Sequence, residues 1–459
     1  MSKRSRIMGA AAVATMLTAP LALAQAPAAV AADVQPLGRT LTIDEALSIA
    51  HRNNRDLAQA KARVAQAHAG VLQSWAALLP QVVAQGKYTH NYKQVSLDFG
   101  AFASALNLPS STFPPNAIIQ KGEQLDGSLS ATVPLVVPSA YPALKAAIAL
   151  EDASRANDDV TDATVLYTTA QTYYACAGAD EVVEARKHAV VLEAKALDNA
   201  KARLEAGVVN RVEVTRAELQ LVRSRQAVLE AQDAAAQSYR ALGTIMNVHD
   251  AIRVVGSDEP SAPAGELDAL TAQALRQRPE FPALQKTMYS YDLQRQSNLW
   301  KWAPTLSAFG NARVFNYAGF SGDKYSWAVG LELDWTIYDG GLRDGQRKLA
   351  LAQRDEQAAK LDLLRDQVRD DVYNADRNVR TKRSALDTAK RSVQLSKETL
   401  DLVQVQHDAG TATQLDLLQA QDNLVAAEVA LAQARFDLSL GALSLERLSG
   451  TFPANLNLK

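Results

Sequence analysis

The sequence predicts a mainly α-helical protein with a small β part, in which long antiparallel coiled-coil helices carry four strands. Three observations predict this. Segments recur in the same order at a nearly fixed offset, as in a duplicated unit. Two very long stretches are almost free of Pro and Gly, and four short segments alternate apolar with polar side chains.

The N-terminus comes first in the chain. Residues 1–6 include Lys3, Arg4 and Arg6, and an Ala-rich apolar run follows over 7–24. Small-residue sites stand at Ala22-Leu23-Ala24 and Ala29-Val30-Ala31. Positive, then apolar, then small is the layout of a secretory signal peptide. The expectation is therefore a signal peptide over 1–24, with cleavage as late as residue 31. Pro20 interrupts the run, which is short for a retained helical span. Cys176 is the only cysteine, so an intrachain disulfide cannot form and the exported fold must stand on packing. The chain has 48 basic and 50 acidic residues, interspersed, which gives no footprint for nucleic acid. No later apolar stretch reaches the length of a membrane helix, but a membrane barrel has a weaker signal and stays open.

Two units follow, expected over 33–255 and 256–459. The segment AHRNNRDL starting at Ala50 resembles ALRQRPEF starting at Ala274, and Pro80 matches Pro304 at the same offset of 224. Later, Gly207 matches Gly410 at an offset of 203, and Ala217 and Leu221 match Ala420 and Leu424. The first unit thus holds 21 extra residues, which fall naturally in the Pro- and Ser-bearing stretch 94–126.

Each unit opens with a predicted helix, over 43–78 and 266–302, stopped by Pro80 and Pro304 because proline removes a donor and clashes with the preceding turn. Strands come next. The clearest is 327–338, apolar at every odd position, with Glu332, Asp334 and Thr336 on the other face. Leu129, Ala131, Val133 and Leu135 alternate with Ser128, Ser130 and Thr132, and 81–92 and 305–316 supply the partner strands. Roughly ten alternating residues make one strand of a membrane barrel, although a half-buried soluble sheet has the same pattern. Four strands cannot close a barrel alone. Two chains would supply eight and three would supply twelve, and only the larger barrel leaves a lumen.

The stretches 140–206 and 342–409 are the long helices. At 1.5 Å per residue, about 65 residues span roughly 100 Å, the scale of a coiled coil or a tube. The returning helices carry heptad rows. Val214, Leu221, Val228, Ala235 and Leu242 match Leu417, Leu424, Leu431, Leu438 and Leu445, and mostly small residues follow three positions on. One large and one small row permit close antiparallel packing. An ordinary coiled-coil rod satisfies the same rows.

Over about residues 41–450, the chain resembles the TolC-like outer-membrane efflux family. The resemblance rests on LTIDEALSIA from Leu41 with Asn53 and Asn54, on Leu79-Pro80, on IYDGGLR from Ile337, and on the turns LEAGV from Leu204 and HDAGT from His407. It implies a homotrimer with a twelve-stranded barrel in outer-membrane lipid. A helical periplasmic tunnel would dock a periplasmic adaptor and an inner-membrane pump of the RND or ABC type. It also implies a constriction just beyond the Ala-Gly turns, with Glu213 and Asp416 at matching positions. Gln419 stands where some relatives carry a second acid, so the ring would be less negative. The hairpin tips, with Gly207, Asn210, Arg211, Gly410, Thr411 and Thr413, would be the adaptor-docking points.

Catalytic chemistry is missing from the pattern. The six histidines form no His-x-x-x-His pair or Cys/His cluster, and no Gly-rich phosphate loop is present. The sequence therefore predicts neither an enzyme nor a cofactor or metal. Its leading reading is an export duct for small toxic compounds. A duct for one-step (type I) protein secretion and a non-conducting coiled-coil envelope protein are the alternatives.

Overall fold

The computed structural model describes residues 40–98, 116–255, 265–317 and 323–452. The expected signal peptide lies outside them. The first unit contains β1 (Thr40–Leu41), α1 (Ile43–Asn53), α2 (Arg55–Ala76), β2 (Gln81–His90), β3 (Val95–Asp98), β4 (Asn116–Gln120), β5 (Glu123–Val136), α3 (Ala140–Glu205) and α4 (Arg211–Met246). After β6 (Arg253–Val254) come α5 (Leu267–Gln277), α6 (Glu280–Trp300), β7 (Thr305–Phe315), β8 (Tyr325–Asp334), α7 (Leu342–Asp408) and α8 (Gln414–Leu448).

Each opening helix is two helices rather than the single one expected. In the first unit the break is Asn54, with extended backbone, whose Oδ1 accepts from the N–H of Asp56 and Leu57 at 2.7 and 3.2 Å. A side chain that caps the next helix ends the previous one. In the second unit Pro279 imposes the break by disfavouring helical backbone at Arg278, which is extended. The Asn54 amide also donates to the carbonyl of Ile245 at 2.8 Å, so the break is fastened to the end of α4.

α3 and α7 have 66 and 67 residues, each about 100 Å of helix. They fold back on α4 and α8 as two hairpins, and α3 also packs against α1, α2, α6 and α8. The heptad rows point inward as the spacing requires: Leu221, Ala235 and Leu242 are buried in α4, and Leu417, Leu424, Leu438 and Leu445 in α8. One core joins β1, α1, α3 and α4 around Tyr173, Leu242 and Met246, while another joins α5 to α8 around Val368, Val372 and Leu445. Leu47, Leu166, Ala170 and Tyr174 meet Leu443 of α8, which ties the two hairpins together. The short parallel pair of β1 with β6 was not foreseen. It seats the Tyr173 hydroxyl, which donates to the carbonyl of Leu41 or Val255, both at 3.0 Å.

Four strands form one sheet in the order β2-β5-β7-β8, every neighbour antiparallel. The strand expected over 327–338 ends at Asp334. Gly340 and Gly341 have φ of 70° and 90°, a turn open chiefly to glycine. The Asp339 carboxylate accepts from the N–H of Gly341 and Arg343. The 21-residue excess of the first unit lies across β3 and β4, which pair as a separate small sheet.

Asn54→Ala should remove a cap and leave the Ile245 carbonyl without its partner, costing about 2 kcal/mol. The check is a lower midpoint of chemical unfolding for the detergent-purified variant.

Candidate functional site

Two places concentrate unusual features: the sheet at one end and the hairpin tips at the other. Strand register gives the sheet two chemically opposite faces. Leu129 pairs with Ala84 and Ala312, Ala131 with Val82 and Gly310, Ala312 with Trp327, and Ala308 with Leu331. Side chains alternate across a strand, so this face is apolar on all four strands. The opposite face carries Gln85, Lys87, Asp126, Ser128, Ser130, Asn311, Arg313, Glu332 and Asp334, with Phe309 lying over Gly330. Nothing among the described residues covers the apolar face: Trp327 is 69 % exposed, Leu331 69 % and Val329 72 %.

An aromatic belt marks the base of the sheet. Trp75, Tyr141, Trp300, Trp302, Trp335 and Tyr338 are exposed where strands meet helices. Trp and Tyr concentrate where one end of the ring is apolar and the other wet. The joint beneath them is rigid. The buried Arg343 guanidinium lies 4.0 Å from the Trp302 ring centroid, donates to Asp339 at 2.7 Å and to the Lys301 carbonyl at 3.1 Å. The Trp335 indole donates to the Trp302 carbonyl at 3.1 Å. Hydrogen bonds from Arg343 and Gly341 hold the Asp339 carboxyl below its ordinary range against burial, the largest single influence. The sequence pattern gave Arg343 no role of its own; its only signal was its place after the Gly pair.

At the tips, Gly207 and Gly410 have φ of 70° and 75°. Each closes its helix in the same way: Val208 and Thr411 donate to the carbonyls of Arg203 and Gln406, both at 2.9 Å. Asn210 then caps α4 by accepting from the Glu213 N–H at 3.3 Å, and Thr413 caps α8 by accepting from the Asp416 N–H at 3.2 Å. The Asp416 carboxylate returns to Thr413 N–H and hydroxyl at 2.9 and 2.7 Å, and those bonds hold its carboxyl below the usual aspartate range. Glu213 and Asp416 are both the third residue of their helix, where an acid meets unpaired N–H groups. Glu213 is half-buried, while Asp416, Gln419, Asn210, Arg211, Thr411 and Thr413 are exposed. Among the described residues no hydrogen bond or ion pair joins Glu213, Asp416 and Gln419; Gln419 donates to Asn423 at 3.2 Å. One link between tips was not foreseen: Arg203 reaches the buried His407 ring at 2.6 Å and its carbonyl at 3.4 Å. A single histidine before a turn signals nothing by spacing.

Neither place holds a metal cluster; among the described residues no three His, Cys, Asp or Glu side chains are grouped to bind one. Among the described residues no helix is long and apolar enough to cross a membrane.

The outer membrane efflux protein family model matches residues 46–248 and 264–451. The chain belongs to that family. Membership places it in the outer membrane, with a large periplasmic helical part. It is 27 % identical to the outer membrane efflux protein BepC of Brucella suis over 269 residues, a match that spans 56 % of each chain. The chain therefore spans little more than half the length of that relative. It is 24 % identical to the outer membrane protein TolC of Vibrio cholerae over 423 residues, covering 88 % of this chain and 89 % of the other. Its fold resembles the Campylobacter jejuni CmeC outer membrane channel, with a TM-score of 0.73 at 19 % identity, covering 89 % of this chain and 85 % of that one.

Thr413→Ala should cost α8 about 1 kcal/mol of N-terminal stability, read as faster amide exchange at residues 414–418. Because the Asp416 carboxyl is held low, its contribution is present above the ordinary value of 3.8 and is lost as pH falls through the folded value. Tip protection in the unsubstituted protein should accordingly weaken below about pH 4.

Proposed function

We propose that this chain is the outer-membrane channel-tunnel of a tripartite export system, carrying small toxic compounds from an inner-membrane pump and a periplasmic adaptor to the exterior. The observation that carries the reading is the sheet, apolar on one uncovered face and ending in two edges, β2 and β8, that find no partner strand among the described residues. Hydrocarbon does not tolerate open backbone edges, so β8 of one copy pairs with β2 of the next. Strand direction alternates along the sheet, which makes that junction antiparallel too. Three copies then supply twelve strands and leave a lumen lined by the polar face, whereas eight strands fill with their own side chains.

The helices support the same assembly. α8 packs on α3 of its own chain and buries Leu418, Val425 and Ala432. The positions 203 residues earlier on α4 are Thr215, Val222 and Leu229, all exposed, Val222 at 56 % and Leu229 at 62 %. On α7, the exposed Tyr373 occupies the place of Ala170, which in the first unit sits with Leu443. The face of α4 left open within the chain is the one its duplicate covers. In the trimer it meets α7 of the neighbouring copy and closes the helices into a tube.

Three copies bring Glu213 and Asp416 to one end of that tube with Gln419 a turn above, a ring that favours cations. The tips at Gly207, Asn210, Arg211, Gly410, Thr411 and Thr413 are the docking points for the adaptor. Energy for export comes from the pump, since the chain itself carries no recognisable catalytic constellation.

Purified protein should conduct ions in a planar bilayer, and silence from folded trimers would favour the non-conducting structural role. A strain lacking the gene should be hypersensitive to several dyes, detergents or antibiotics with its secreted proteins unchanged; loss of one secreted protein with normal tolerance would make this a secretion duct. Val222→Glu combined with Leu229→Glu should leave the chain folded but shift it from trimer to monomer in detergent, measured by light scattering.

A further inference from the structure

Glu193 stands on α3 twelve residues before the helix ends at Glu205, about 18 Å above the tip. It is 1 % exposed within a single chain, and its Oε2 has no hydrogen-bond partner. Cross-helix pairs set the register of α3 against α8: His188 with Glu428 at 3.1 Å and Glu181 with Arg435 at 3.3 Å. That register sets Glu193 opposite Asn423, two residues from Gln421, which is 4 % exposed and whose Oε1 also lacks a donor. Two buried acceptors leave this seam one hydrogen short, a cost that a carboxylate raises and a carboxylic acid can relieve.

We propose that Glu193 is a proton-operated latch in the seam between α3 and α8: protonated, it lets the two hairpins of each chain pack closed, and ionised, it loosens them and opens the tunnel end. The opening step rests on the reading of the tips as the gate; the latch itself does not. The Glu193 side chain is already covered within one chain.

The groups around it leave the ionised form unsupported. α8 presents Asp422, exposed at the rim, whose charge opposes a second carboxylate. α4 presents Gln220, which donates to Asp422, and Arg223, whose charge acts on Asp422. α3 itself adds no charge one turn to either side, where Ala189, Val190, Ala196 and Leu197 lie. Burial, with Asp422 adding to it, pushes the Glu193 carboxyl up to about 7 from 4.5. The packed seam therefore holds its proton more tightly than a loosened one. Packing is fully favoured below pH 4.5 and is lost as pH rises through about 7, by roughly tenfold in the equilibrium per pH unit over that window. The second unit has Ser396 at the equivalent position, so each chain holds one such latch.

The test uses the full-length protein in detergent, with amide exchange of residues 189–197 and 418–425 followed from about pH 5 to about pH 8 and corrected for intrinsic rate. Protection should fall at least tenfold across the range. Glu193→Gln, which keeps shape and supplies a donor without a charge, should stay protected throughout. Bilayer conductance should rise over the same range for the unsubstituted protein and stay flat for the variant. Equal pH dependence of exchange in the two proteins would overturn the proposal. A pH-dependent seam in a protein that never conducts would support the latch and sink the channel reading.

Discussion

A backbone N–H or C=O without a partner cannot be left in hydrocarbon, and this chain carries a sheet that is apolar on one face and, among the described residues, open at both edges. That constraint reaches far beyond the strands. In the proposed assembly the single chain is an incomplete object, its apolar face turned to lipid and its edges paired with other copies. The Arg343 joint, stacked on Trp302 and bonded to Asp339, ties the start of α7 to the end of α6 at the base of the sheet.

The helical part is organised around α3, which touches five other helices. Its long face of small residues, among them Ala149, Ala153, Ala156, Ala163, Ala170 and Ala200, lets neighbours approach closely over most of its length. Close approach is what makes a buried acid such as Glu193 expensive there. The two hairpins share one design, but their environments differ. α8 is covered by α3 of the same chain, whereas the matching face of α4 keeps Val222 and Leu229 exposed.

Helix ends explain the tips without reference to function. A glycine at positive φ, a Schellman closure, an Asn or Thr cap and an acid three residues on would be favoured in any helical hairpin. Glu213 and Asp416 have a sufficient local reason to be where they are, and Asp416 spends its carboxylate on its own cap. Any role in a pore is added to that local role by assembly.

The period of the apolar residues, the matching offsets and the prolines at 80 and 304 determined the order of elements, the long helices and the inward rows, because these depend on local backbone and on which face is apolar. The alternation in each strand determined two-faced strands. The sequence could not decide strand order or register, the Asn54 break and its tie to Ile245, the β1–β6 pair, the Arg203–His407 contact or the burial of Glu193. Each joins residues tens to hundreds of positions apart, and no local pattern encodes such a distance. Asn54 shows the limit: its capping chemistry was visible in its residue type, but its bond to a carbonyl 191 residues away exists only once α4 has packed beside it.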